Sequence, residues 1–177
     1  MKIINDEKFF QLDTETLAQE LLGKWIKTNI NGEEKMAQIS ETEAYLGEKD
    51  SACHSYKGRR TARTETMFKV GGTVYIYLCY GMHYLLNIVS KKENQPEAVL
   101  IRAVVGVNGP AKVTKLLNID KSLNGESVIN NSKICIMDDG KIYKFTKEKR
   151  VGIDYSLEKD KNALLRFVLK LDHYKNQ

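Results

Sequence analysis

The chain has 177 residues, enough for one domain with a substantial core; 42% are hydrophobic and only two are proline, which excludes a disordered or low-complexity chain. A formal net charge of +5 favours an anionic partner, although charge alone does not choose nucleic acid. Three cysteines without a close metal-ligand spacing argue for reduced thiols rather than a disulfide frame or a zinc site, and no apolar run is long enough to span a membrane.

Residues 1–12 read as a short lead-in, without the apolar segment of a signal peptide, whose Phe9 and Phe10 pack on the body. The expectation is a protein that is not secreted, cytoplasmic and nucleoid-associated or nuclear. Asp13 or Thr14 caps a helix to about Leu22, with Leu17, Leu21 and Leu22 on one side and Gly23 ending it. Residues 24–29 read as a strand, and Asn31-Gly32 is a strong hairpin signal into a second strand. Over 37–45 that strand alternates: Ala37, Ile39, Glu41, Glu43 and Tyr45 on one face, Gln38, Ser40, Thr42 and Ala44 on the other. Carboxylates on a half-buried face are costly unless bonded, paired or used. Alternation by itself slightly favours a strand that turns both to solvent.

Residues 47–66 form a polar loop carrying His54 and the cluster Arg59, Arg60 and Arg63, which with Lys57 suits phosphate contacts. Strands come next at 73–80, 83–90 and 98–105. In the first, Tyr75, Tyr77 and Cys79 point one way and Val74, Ile76, Leu78 and Tyr80 the other. Gly81 permits a tight turn, so Tyr80 stands at a hairpin tip. Tyrosines suit strands and cores, but a tip is usually wet, and an exposed side chain there can wedge between stacked bases. His83, Leu85, Asn87 and Val89 share a face of the second strand, and Arg102 interrupts the third and calls for a partner such as Glu43.

Gly109-Pro110 opens a helix with Val113, Leu116 and Leu117 on its apolar side and Lys112 and Lys115 free for phosphates. Residues 119–132 read as loop and weak helix, 133–137 and 141–145 as a hairpin around Asp138-Asp139-Gly140, and 150–153 and 164–169 as short strands. Residues 170–177 are a mostly polar tail. The fold class is α+β, consecutive antiparallel strands with helices to the side, in a single domain over 1–177.

Several pieces form a joint pattern. They are Glu41-Thr-Glu-Ala-Tyr-Leu-Gly47, His54-Ser55, Gly58-Arg59, Met67-Phe68, Gly72-Thr-Val-Tyr-Ile-Tyr77, Tyr80-Gly81-Met82, Asn87-Ile88 and Val99-Leu-Ile-Arg-Ala103. Leu17-Ala18 to Leu22-Gly23, Gly109-Pro-Ala-Lys112, Arg150-Val-Gly-Ile153 and Leu165-Arg-Phe167 extend it over nearly the whole chain. Together they resemble the alkyladenine (3-methyladenine) DNA glycosylase family; the joint spacing is specific, whereas any single piece is weak.

The resemblance implies one compact domain with a curved, mostly antiparallel sheet. It implies a monomer that acts on double-stranded DNA containing damaged purines, flips alkylated or deaminated bases out of the duplex, and hydrolyses the N-glycosidic bond. No metal, nucleotide or redox cofactor is implied. No lysine of the matched motif stands where a Schiff base is expected, so the enzyme is expected to be monofunctional and to leave an intact abasic site. By the same resemblance Glu43 activates the water, and Arg102 holds that water and keeps Glu43 ionised. The Val151 carbonyl is a further water contact. Tyr45, His54 and Tyr77 sandwich the base, Asn87 excludes guanine, and Tyr80 fills the gap in the stack. Arg59 and Arg63 lie among the phosphate contacts. Periodicity does not separate Glu41 from Glu43, and the choice of Glu43 follows the family motif.

Two departures stand out. Many relatives read Gln-Thr-Pro-Arg-Asn where this chain has Arg60-Thr-Ala-Arg-Thr64, so the loop lacks a stiffening proline; His83 replaces an aromatic beside the turn. Two other classes compete. One is a catalytically silent nucleic-acid-binding module, which would not need Glu43. The other is a glycoside hydrolase using Glu41 and Glu43, which as same-face neighbours stand too close to flank a scissile bond.

Overall fold

Caps and turns punctuate the chain much as their chemistry dictates. The computed structural model describes residues 1–170. It begins with β1 (Lys2–Ile3) and α1 (Glu7–Phe10), then α2 (Thr14–Glu20), whose N-cap Asp13 accepts from the Thr16 N–H. β2 (Trp25–Ile30) and β3 (Glu33–Tyr45) are joined through Asn31 and Gly32, both left-handed at φ 53° and 81°, as a tight twisted hairpin requires. β4 (Val74–Cys79), β5 (His83–Val89) and β6 (Ala98–Val104) form a meander. β7 (Val107–Asn108), α3 (Pro110–Leu116), β8 (Ile134–Asp138), β9 (Phe145–Glu148), α4 (Glu158–Lys161) and β10 (Arg166–Leu169) complete the order.

Every strand pairing is antiparallel, in the order β1-β8-β2-β3-β6-β5-β4. β3 is the hinge of this curled sheet. Its first half pairs with β2, and its second half is flanked by β6 on one side and β10 on the other. One face of the sheet carries the main core, with Phe10, Leu17, Ile26, Ile39, Leu86, Ile101 and Phe167 fully buried among it. A smaller cluster, Cys53, Met67, Tyr75, Val89 and Ala98, lies apart from it.

The strict alternation expected along 37–45 does not hold. Between Ile39 and Thr42 the β3–β6 register shifts twice, with Ser40 extra on β3 and Arg102 extra on β6. The phase of both strands therefore switches together. Ala37 and Ile39 enter the main core, and beyond the irregularity so does Ala44, while the Thr42 hydroxyl, fully buried, donates to the Ala18 carbonyl at 2.7 Å. Glu43 and Tyr45 thus lie on the face opposite Ile39, not with it.

Other elements differ from expectation. Residues 141–144 do not return as a hairpin arm: β8 pairs with β1 and β2, and the chain crosses to pair β9 with β10 instead. Residues 150–153 form bends rather than a strand, 164–169 shortens to β10, and α4 was not anticipated. The 47–66 loop contains 3₁₀ turns at Gly47–Lys49 and Tyr56–Gly58 and the start of a third, Glu65–Phe68. Leu116 is exposed, leaving Val113 and Leu117 to anchor α3. The tail beyond residue 170 lies outside the described residues.

β10 braces the strand that carries Glu43, and Phe167 is its fully buried anchor. Phe167→Ala is expected to lower the unfolding free energy by about 3–5 kcal/mol, read from urea denaturation; a loss below about 1 kcal/mol would mean that β10 contributes little to the core.

Candidate active site

β4, β5 and β6 present alternate residues to the face away from the main core, and there they floor a cavity of about 440 Å³. Tyr75 and Tyr77 come from β4, Leu85 and Asn87 from β5, Leu100 and Arg102 from β6, and Tyr45 from the end of β3. His54 and Arg63 stand on one wall; residues 151–153 and Tyr155 form another.

The aromatic groups are locked to each other. His54 Nδ1 and the Tyr75 hydroxyl are 2.9 Å apart, and the His54 ring meets Tyr77 edge-on with centroids 4.6 Å apart. Burial, reinforced by the positive charges of Arg63 and Arg59, pushes the His54 pKa down to about 4, so the ring is neutral at physiological pH. Burial pushes the Tyr75 phenol up to about 12, and those of Tyr77 and Tyr45 are raised by the same cause. The cavity thus offers neutral aromatic faces. Asn87, buried, donates from Nδ2 to the Tyr75 carbonyl at 3.2 Å, which holds its side chain against the wall.

Glu43 has no exposed surface and does not itself line the cavity. It lies behind Tyr45, Val151 and Arg102, which do. The Tyr45 hydroxyl donates to Oε2 at 2.8 Å, and the Val151 N–H donates to Oε1 at 2.9 Å. Arg102 Nε is 3.8 Å from Oε1 and is a buried donor without a hydrogen-bond partner among the described residues. Desolvation raises the pKa of Glu43, against the downward pull of the Val151 N–H, the Tyr45 hydroxyl, Arg102 and Arg150.

Glu41, which periodicity could not tell from Glu43, has a different setting. Its Oε2 lies 3.5 Å from Arg102 Nε and 3.3 Å from Arg166 Nη1, and Arg166 also reaches Glu148 at 2.5 Å. Glu41 is thus spent between two guanidinium groups, whereas Glu43 is held by directed donors under the cavity.

Tyr80 is 89% exposed at its hairpin tip with φ 50°, and it makes an apolar prow with Leu78 at the cavity mouth and with the exposed Met82 beyond the turn. Arg63 lies 5.3 Å from the Tyr77 ring centre, and Arg59 is exposed on the same segment. Arg60 is tied to Glu65 by two bonds of 2.9 and 2.7 Å and packs over Phe68. The Thr64 hydroxyl donates to the Arg59 carbonyl and accepts from the Thr61 N–H, bracing a loop that has no proline. No group of three or more metal-capable side chains converges among the described residues.

Four residues escaped sequence reasoning. Tyr75 shares its face with Tyr77 by alternation, which was signal enough to include it. Arg150 and Asp50 form a buried ion pair behind Tyr45; their 100-residue separation gave no local cue. Tyr155 on the far lip donates its hydroxyl to the Ala52 carbonyl at 2.8 Å.

Comparison with known proteins places the chain in a family. The family model for methylpurine-DNA glycosylase matches residues 8–107 and 104–173. The chain belongs to the methylpurine-DNA glycosylase family, and is thus a DNA-repair enzyme of the DNA glycosylase class. More particularly, it is 43% identical over 177 residues to a protein of Borrelia garinii subsp. bavariensis, covering 93% of this chain and 95% of the other. It is 40% identical over 188 residues to one of Natranaerobius thermophilus, covering 93% and 94%. Both carry the name "Putative 3-methyladenine DNA glycosylase".

The depressed His54 pKa has a thermodynamic signature. Between about pH 6.5 and 4 the unfolded chain binds a proton at this ring and the folded chain does not. Its contribution to stability is therefore complete above pH 6.5 and declines as pH falls, by at most about 1.4 kcal/mol per unit. NMR of the imidazole is expected to show no protonation of His54 above pH 5, and His54→Gln to flatten the decline in unfolding free energy over that window.

Proposed function

We propose that this glycosylase flips an alkylated or deaminated purine into the aromatic cavity and hydrolyses its glycosidic bond with a water activated by Glu43. The observation that carries the reading is a fully buried carboxylate, gripped by the Val151 N–H and the Tyr45 hydroxyl, beneath a neutral aromatic cavity. Such a carboxylate can take a proton from water and stabilise an oxocarbenium-like sugar. The Nε of Arg102, which has no hydrogen-bond partner among the described residues, supplies a donor to orient that water. The Val151 N–H is committed to Glu43, and the Val151 carbonyl is the further contact for the water.

Tyr45, His54 and Tyr77 hold the base by its faces, and an electron-poor alkylated ring stacks on them best. Asn87 excludes guanine by collision with its exocyclic amino group. Tyr80 takes the vacated place in the duplex, and Arg59 and Arg63 contact phosphates. No lysine lines the cavity among the described residues, so the chemistry is hydrolytic and the product is an intact abasic site. The enzyme acts as a monomer on double-stranded DNA.

The test is single-turnover base release from methylated duplex DNA, with abasic sites revealed by mild alkali. Glu43→Gln is expected to slow release by at least about a hundredfold while retaining DNA binding; undiminished release would move the base elsewhere, with Glu41 the next candidate. Tyr80→Ala is expected to weaken affinity for lesion-bearing duplex by about tenfold or more, measured by anisotropy. Unchanged affinity would remove the wedge role.

A further inference from the structure

Arg150 and Asp50 have almost no exposed side-chain surface, 0% and 3%. Arg150 Nη1 and Nη2 donate to the two oxygens of Asp50 at 2.6 and 2.9 Å. Nη1 also donates to the Ala44 carbonyl at 3.0 Å, and Nη2 reaches the Asp160 carbonyl at 3.4 Å. Asp50 accepts in addition from the N–H groups of Leu46 and Ala52. The guanidinium lies 4.8 Å from the centre of the Tyr45 ring.

Apart from the Asp160 carbonyl, these contacts land next to parts of the site. Ala44 sits between Glu43 and Tyr45 on β3. Val151, which comes directly after Arg150, gives its N–H to Glu43. Asp50 precedes His54 in one loop, and the Tyr155 hydroxyl ties that loop to the 150–155 segment through Ala52. A buried ion pair is a poor device for stability alone, because well-packed apolar residues often do as well. Its advantage is direction, since a two-pronged guanidinium–carboxylate bond fixes both planes.

We propose that the Arg150–Asp50 pair is the positioning device of this site, setting the Val151 N–H on Glu43 and holding the Tyr45 ring and the His54 segment in register with it. The inference rests on the reading of Glu43 as the water-activating carboxylate. Arg150 and Asp50 touch neither base nor water; they act through the groups they hold.

The test compares Arg150→Lys and the double variant Asp50→Asn/Arg150→Met with wild type and Glu43→Gln. Arg150→Lys keeps charge without the fork; the double variant removes both charges at similar volume. Four quantities are read: melting midpoint, single-turnover base release at saturating enzyme, affinity for a duplex carrying an abasic-site analogue, and the pH dependence of release. Both variants are expected to melt cooperatively and to bind the abasic duplex nearly as wild type does, yet to release base at least about tenfold more slowly.

In the double variant the acidic limb of the pH profile should also move to higher pH. The charged and titratable groups that face Glu43 are Glu41 and Tyr45 on its own strand, Arg102 on β6, Tyr77 on β4, and Arg150 and Tyr155 on the 150–155 segment, with Arg166 of β10 reached through Glu41. Removing the charge of Arg150 leaves desolvation of Glu43 less opposed. Wild-type release and an unmoved acidic limb in the double variant, whatever its melting midpoint, would reduce the pair to a structural link and overturn the proposal. Undiminished release by Glu43→Gln would overturn the carboxylate reading itself, and the positioning role with it.

Discussion

Everything at the site depends on keeping one carboxylate out of water. Glu43 has no exposed surface, and a charge so placed survives only with donors aimed at it. Its donors come from separate parts of the chain: the Tyr45 hydroxyl two residues along β3, and the Val151 N–H from a bend more than a hundred residues away. Arg102 approaches from β6. None of these groups has a reason to converge on its own. The long β3 strand brings them together, because its second half is flanked on both edges, by β6 and β10.

The double irregularity at Ser40 and Arg102 makes this possible without breaking the sheet. With strict alternation, Glu43 would share the face of Ala37 and Ile39 and enter an apolar core with no donors. Because both strands gain a residue at the same level, pairing resumes below the irregularity with the faces exchanged. A bulge next to an active site commonly re-aims a side chain. Here it re-aims two, turning Glu43 toward its donors and Arg102 toward both carboxylates.

Much of the cavity was legible in the sequence because β4, β5 and β6 are regular. Period-two alternation put Tyr75 and Tyr77 on one face and Leu85 and Asn87 on the matching face of β5, and the sheet keeps them there. Sequence reasoning failed where geometry departs from regularity or where partners are remote. A bulge at Ser40 has no glycine to announce it. Arg150-Val-Gly-Ile153 has a strand-like composition, yet the main chain bends there and spends the Val151 N–H on a side chain. The Asp138-Asp139-Gly140 turn is real, with Asp138 accepting from the Gly140 N–H and pairing with Lys24. Past this turn the chain does not return to β8 but pairs β9 with β10, which lies along the second half of the β3 edge that β2 occupies over the first half, a choice set by tertiary packing rather than by the turn.

The tip of the β4–β5 hairpin obeys a different logic from the cavity. Tyr80 adopts a left-handed backbone conformation that disfavours any side chain with a Cβ, and a bulky one most of all. Glycine would relieve that strain, as Gly81 does at the next position. Nor does burial compensate, for Tyr80 is 89% exposed and its neighbours Leu78 and Met82 are also exposed. An aromatic residue held in a strained turn and offered to water contributes nothing evident to the folded chain alone. Strain of this kind clusters where the surroundings, or a partner, over-determine it. The apolar prow stands at the mouth of the cavity over which a DNA duplex must lie if a base is to enter. On the reading proposed above, in which Tyr80 takes the place of the flipped base, the interaction that offsets the strain is made with the DNA.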